Sequence, residues 1–257
     1  MIITSIAGRF NGPPSSANGG YACGVFAGLG AAYHAPGLAV TLLAPPPLDS
    51  PLEFHPGIRR SQVRSGDTLI ATVTRSAGEV ALLPAVAAES ASRAESAYGG
   101  AKSHPFRTCF VCGVDRAAGD GLLLAPGPLP AGPREVACRW TPDRSVCDAE
   151  GLAEAAVVWS VLDCPGGWTA DPGREPMVLS RMTARIGRRP RLGERCVVVG
   201  RRIRRDGRTA TNLTALHDED GRPLARARAV WTAVEETGVP TDRGPSMSPL
   251  SPHRTTG

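Results

Sequence analysis

One order of elements occurs twice along this chain: a short β-rich run, an apolar helical pattern, then a series of strand patterns. That repetition constrains the fold more than any other feature. A single long helix followed by consecutive strands lacks the alternation of a parallel βαβ sheet. It predicts an antiparallel sheet folded over the helix, an α+β architecture, built twice. In the first half the expected elements are a strand at 2–6, a Gly/Pro/Ser loop at 12–17 and a helix at 19–34. Strands follow at 38–43, 58–63 and 69–74, and a turn at Ala77-Gly78 leads to a fourth at 80–86. In the second half a strand at 136–140 and a loop containing Pro142 precede a helix at 151–163. There Leu152, Ala155, Ala156, Trp159 and Leu162 share one apolar face. Strands are expected at 177–186, 194–203, 209–217 and 223–234, the last three separated by turns at Asp206-Gly207 and Asp220-Gly221. Two finer matches link the halves: Pro45-Pro46-Pro47-Leu48 with Arg189-Pro190-Arg191-Leu192, and Gly66-Asp67-Thr68 with Gly207-Arg208-Thr209.

A length of 257 residues suits one large domain or two of ordinary size. The first residues lack a basic stretch followed by a long apolar core, and no apolar run approaches the ~20 residues that span a bilayer. A cytoplasmic protein with no membrane partner is the expectation. Seven cysteines at irregular spacing fit reduced thiols better than a disulfide framework. The formal charge is +5, and Lys102 is the only lysine among the basic residues. Arginines cluster between Arg181 and Arg208, which reads mainly as a solvated sheet face. Stacking aromatics are absent from that run and no nucleic-acid-binding motif is present, so no nucleic acid is expected. The phosphates of coenzyme A or an acidic acyl carrier protein are anions that would suit it. Residues 89–103, rich in Ala, Ser and Glu, read as a linker whose composition also suits a helix, and 237–257 as a disordered tail.

Two constellations carry chemistry. Asn18-Gly19-Gly20-Tyr21 opens the first helix. Bare backbone N–H groups at a helix start, reinforced by the helix dipole, can hold the oxygen of a polarised carbonyl. The same residues also read as an ordinary N-cap, which spacing alone favours. Asp163 ends the second apolar helix and reads either as a general base or nucleophile, or as a solvated residue at a frayed end. The first half has the glycine pair without an acid, and the second has the acid with Glu150-Gly151 in place of the glycine pair. One composite site is more economical than two defective ones. Cys109-Phe110-Val111-Cys112-Gly113 invites a zinc reading, but a structural site needs two more ligands and no second Cys-x-x-Cys exists. No metal and no cofactor are expected.

Phe10-Asn11-Gly12-Pro13-Pro14 with Asn18-Gly19-Gly20-Tyr21 resembles the helix start of thioesterase-like hotdog proteins. Cys109-Phe110-Val111-Cys112-Gly113 with Asp120-Gly121-Leu122 resembles the lead-in to phenylacetyl-CoA-type hotdog thioesterases. The doubled order is similar to a tandem (double) hotdog of the acyl-CoA thioesterase II type, each half an antiparallel sheet wrapped around a central helix. The resemblance implies an N-terminal hotdog at 1–88 and a C-terminal one at 104–236. It implies hydrolysis of acyl-CoA or acyl-carrier-protein thioesters, with Gly20 as oxyanion donor beside Asn18 and Gly19, and Asp163 as base or nucleophile. Thr183 is implied to orient water, and Gly19, Tyr21 and Trp159 to contact substrate. A non-catalytic acyl-CoA or lipid-binding module is the alternative. A homo-oligomer of such chains remains open.

Overall fold

The computed structural model describes residues 1–34, 37–76, 78–130 and 132–234. Among the described residues eleven strands form one antiparallel sheet: β1 (Ile2–Thr4), β2 (Leu38–Leu42), β3 (Leu52–His55), β4 (Arg60–Ser65), β5 (Thr68–Arg75), β6 (Gly127–Leu129), β7 (Gly132–Trp140), β8 (Met177–Ile186), β9 (Cys196–Asp206), β10 (Thr209–Asp218) and β11 (Pro223–Ala233). The helices are α1 (Gly19–His34), α2 (Ala88–Glu95), α3 (Ala155–Val161) and α4 (Cys164–Trp168). Strand order across the sheet is β1-β3-β4-β5-β2-β8-β11-β10-β9-β7-β6. The halves meet where β2 pairs antiparallel with β8, Leu38 opposite Ala184 and Thr41 opposite Arg181.

Outward from that junction the orders are β2-β5-β4-β3-β1 and β8-β11-β10-β9-β7, then β6. Each element of the first half therefore has a counterpart in the second, with α1 answered by α3. The match of the 45–48 and 189–192 loops agrees with this frame, since both follow the strand after the helix. The other match does not. Gly66 lies between β4 and β5, so its counterpart is the β10–β11 turn, whereas Gly207 lies between β9 and β10.

α1 and α3 cross antiparallel inside the fold, and small residues set their separation. A Cβ on Gly24 would lie 2.6 Å from the Ala156 Cα and 3.0 Å from the Trp159 Cβ. One on Gly20 would lie 2.9 Å from the Ser160 Cα. The contacts run in opposite directions along the two helices, which defines their orientation. The two backbones approach this closely only because α1 has no side chain at these positions.

The second helix departs from its expected limits. It begins at Ala155, and 151–154 is extended or turning; it ends at Val161. Pro165, in the first turn of α4, has no N–H to continue the ladder, so the helix breaks at Leu162–Asp163 and restarts. Thr214 Oγ1 satisfies the Leu162 carbonyl freed by the break, at 2.7 Å.

Residues 80–86 form no strand. Val80 and Leu83 instead cover the outer face of the second half, packing with Ala91 and Ala94 of α2 against Val197, Val199 and Leu213. Residues 89–103, expected as a linker, thus contribute α2 to that outer layer. Buried on both faces, β9 carries a continuous apolar run rather than an alternation. β3 was absent from the sequence expectation; only four residues long, it lies between Pro51 and Pro56. Ala77 of the expected turn and the tail 237–257 lie outside the described residues. No helix among the described residues is long and apolar enough to cross a membrane.

Candidate active site

The start of α1 is held by Asn18. Its Oδ1 accepts the Tyr21 N–H at 2.9 Å and its backbone carbonyl accepts the Ala22 N–H at 3.0 Å. Asn18 is thus an N-cap, and the cap aims its other side-chain atom, Nδ2, away from the helix. The adjoining N–H, that of Gly20, donates to Asp163 Oδ2 at 2.8 Å. The glycine pair and the acid therefore meet directly, one from each half of the sheet.

Asp163 is 1% exposed, and its Oδ1 has no hydrogen-bond partner among the described residues. Burial pushes its pKa up to about 8, against the pull of the Gly20 N–H. The acid is not at a frayed, solvated end. The α3–α4 break buries it against α1.

Asp163 forms part of the wall of a cavity of about 360 Å³, within the range of small-molecule sites. Asn18 and Gly19 also line it, with apolar wall from Leu179, Met177 and Trp231. Gly20 does not line the cavity, and its N–H is already taken by Asp163. The neighbouring Gly19 is the residue of the pair that faces the cavity.

Three expected residues lie elsewhere. Tyr21 stacks on Phe10 with ring centroids 3.9 Å apart and meets Phe110 edge-on at 6.0 Å, forming the packing that anchors the helix start. Trp159 is buried where α3 crosses α1, beside Gly24. Thr183 is half-buried on β8 between buried Met182 and Ala184, and is not part of the cavity wall. The cause is a register shift between Leu179 and Arg181 against β11: the extra residue, Ser180, exchanges the two faces of the strand. Ser180 lines the cavity instead, its hydroxyl donating to the Val230 carbonyl at 2.9 Å.

Sequence reasoning also missed a cluster of sulfurs. Cys109, Cys112 and Cys164 line the same cavity, with their three sulfur atoms within 4.8 Å of one another. One further thiol, that of Cys164, joins the Cys109/Cys112 pair from α4, a partner that the local spacing did not reveal. Phe110 brings the loop to the helix start, its N–H donating to the Asn11 carbonyl at 2.8 Å. Hydrogen bonds from the Cys112 and Cys164 thiols, aided by the backbone N–H groups of Cys112 and Val111, hold the Cys109 thiol well below its usual range.

The arginines are largely paired. Arg188 with Glu194, Arg189 with Asp148, Arg195 with Glu219 and Arg201 with Glu135 form ion pairs at 2.5–2.8 Å between partly exposed groups. A surface of paired charges is a weaker lure for phosphates than the arginine count suggests.

No sequence family and no curated protein matches the chain. Solved structures do. The tesB protein of Mycobacterium avium subspecies paratuberculosis aligns over 91% of this chain and 92% of its own, at 13% identity and a TM-score of 0.57. The PaaI protein of Escherichia coli aligns over 48% of this chain and 87% of its own, at 11% identity and a TM-score of 0.43. A hypothetical thioesterase of Streptococcus pneumoniae, solved with coenzyme A, aligns over 39% of this chain and 78% of its own, at 13% identity and a TM-score of 0.37. Over nearly its whole described length, this chain has the hotdog fold of thioesterase-like proteins.

Proposed function

We propose that the chain is a tandem double hotdog that hydrolyses an acyl thioester of coenzyme A, or of an acyl carrier protein, in the cavity beside Asp163. The observation that carries this reading is the 2.8 Å contact between Asp163 Oδ2 and the Gly20 N–H, which unites a helix start from one half with a buried carboxylate from the other. The element-by-element correspondence of the halves and the long alignment with the tesB protein support the double arrangement.

In this reading Oδ2 is fixed by Gly20 and Oδ1 does the chemistry. Oδ1 takes a proton from water as its oxygen attacks the thioester carbonyl. The carbonyl oxygen becomes an oxyanion at the dipolar start of α1, with the Gly19 N–H as donor in place of Gly20. The C–S bond then breaks, and the proton held by Asp163 passes to the departing thiolate. Removing one such donor typically costs roughly 10²–10³ in rate. Chain location in the cytoplasm and any assembly of double hotdogs belong to the same proposal. The test is hydrolysis of acyl-CoAs of several chain lengths, followed as loss of thioester absorbance. Full turnover by Asp163→Asn would sink the mechanism.

One observation favours a second reading, a non-catalytic acyl-CoA-binding module: the carboxylate is almost wholly buried and already bonded to Gly20. Calorimetric binding of acyl-CoA without release of free thiol would select it.

A further inference from the structure

We infer that Cys109, Cys112 and Cys164 form a binding site for one thiophilic divalent cation, zinc foremost, with a fourth coordination position open to the cavity. The inference stands on the cysteine geometry and does not depend on thioester hydrolysis.

The spacing of the sulfurs is the first argument. Zinc–sulfur bonds of about 2.3 Å in a tetrahedron put neighbouring sulfurs about 3.8 Å apart. Cys109 Sγ and Cys164 Sγ are 3.9 Å apart, and all three sulfurs lie within 4.8 Å of one another. A disulfide requires a sulfur–sulfur distance of about 2.05 Å, so the same cluster is poorly set for one without rearrangement. Two of the ligands are also held by a shaped loop. The Gly113 N–H donates to the Cys109 carbonyl at 2.9 Å, and a Cβ on Gly113 would lie 2.5 Å from the Cys109 and Arg107 carbonyl oxygens. Cys-x-x-Cys-Gly here is a tight turn that only glycine closes, and it puts both sulfurs on one side.

The surroundings of the sulfurs are the second argument. Asn18 Nδ2 faces Cys164 Sγ at 3.6 Å and Cys109 Sγ at 3.8 Å. The amide cannot be flipped, because its Oδ1 is committed to the Tyr21 N–H. A donor group is therefore fixed toward the sulfurs, as expected around metal-bound thiolates, which accept and do not donate. The Cys112 carbonyl is held from two sides, by Tyr98 Oη at 2.8 Å and by His104 Nε2 at 3.0 Å. His104 Nδ1 accepts the Phe106 N–H at 2.9 Å, so Nε2 carries the proton, and both ring nitrogens are occupied. His104 is thus a positioning residue for Cys112 and not the fourth ligand. Three protein ligands with an exchangeable fourth position is the pattern of zinc sites that bind small ligands. A water molecule from the cavity fills that position. Binding displaces protons from the thiols, one for each sulfur that becomes a thiolate.

The full chain, purified under reducing conditions without chelator, tests this by elemental analysis and by replacement with Co²⁺. The expected result is one zinc per chain, and for the cobalt form a thiolate-to-cobalt charge-transfer band with intense tetrahedral visible bands. Cys112→Ser should lose both. Asn18→Ala should weaken zinc binding about 10- to 100-fold in competition with a chelator. Cys147→Ser, a cysteine outside the cluster, should retain both signals. If Cys112→Ser fails to fold, as judged by circular dichroism, stepwise chelator removal of zinc from the wild type, with loss of the cobalt bands, replaces it. A chain that carries no zinc and shows no cobalt–thiolate band overturns the inference. A mass two daltons low from a Cys109–Cys164 disulfide in metal-free protein that refuses cobalt even after reduction also overturns it.

Discussion

Asp163 and Gly20 lie 143 residues apart in sequence, yet the carboxylate of one accepts the backbone N–H of the other at 2.8 Å. The contact fixes one carboxylate oxygen and leaves the other without a partner among the described residues. A group held this way can move a proton with little change in its own position. Asp163→Asn, nearly isosteric, should keep the fold and lower turnover of the best acyl-CoA by about 10²–10⁴-fold. Steady-state hydrolysis rates and a melting curve on the same preparation check both halves of that statement.

The glycines of α1 should separate by what they face. On Gly20, a Cβ would overlap the Asp163 Cβ and stand 2.9 Å from the Ser160 backbone. Gly20→Ala should destabilise by about 1–3 kcal/mol through overpacking, and should also impair turnover by displacing the acid. Gly24→Ala should cost similar stability with a smaller loss of turnover, since its neighbours are Ala156 and Trp159. Gly28 has nothing within 4 Å of its missing Cβ and is exposed, so Gly28→Ala should stabilise by about 0.4–1 kcal/mol. Urea denaturation of the three variants gives the order directly; a destabilised Gly28→Ala would contradict it.

Acidity should act on activity and stability in opposite directions in metal-free protein. Burial raises the Asp163 pKa from 3.8 to about 8, so the active carboxylate forms as pH rises, and hydrolysis should climb with a midpoint near 8. For stability, the folded chain retains a proton that the unfolded chain has already released. The Asp163 contribution is complete below about pH 4 and disappears as pH rises through about 8. Denaturation midpoints of wild type minus Asp163→Asn, taken across this range, should decline with pH. A flat difference would mean that the carboxyl titrates normally.

Thr183→Val should change neither turnover nor, by more than about 0.5 kcal/mol, stability, because its hydroxyl lies off the cavity wall. Kinetics of this variant beside Ser180→Ala test the face exchange on β8: only the second removes a hydroxyl from the cavity, and only the second should alter the Michaelis constant.

The doubled order of elements was legible, since an apolar helical segment followed by strand patterns occurs in both halves. Asp163 was legible as an acid out of place on an apolar helix. What escaped was long-range or irregular. β3 is short and flanked by prolines. The apolar residues at 80–86 resemble a strand in composition, but they bury every third position, Val80, Leu83 and in part Val86, against the outer face of the second half. A single-residue register shift at Ser180, invisible in composition, turned Thr183 away from the cavity. Cys164 joins Cys109 across 55 residues, and local spacing carries no trace of a partner that distant.

The antiparallel crossing of α1 and α3 has a consequence for stoichiometry. A shift of 136 residues carries Gly20 onto Ala156 and Gly24 onto Ser160, exchanging one helix contact for the other. The same shift carries Asp163 back onto Ala27, a buried methyl where a mirrored centre would need an acid. The molecule has a two-fold frame with the acid on one side only. A titration should saturate at one thioester per chain, and an acid placed at position 27 would be buried without a glycine N–H to meet it.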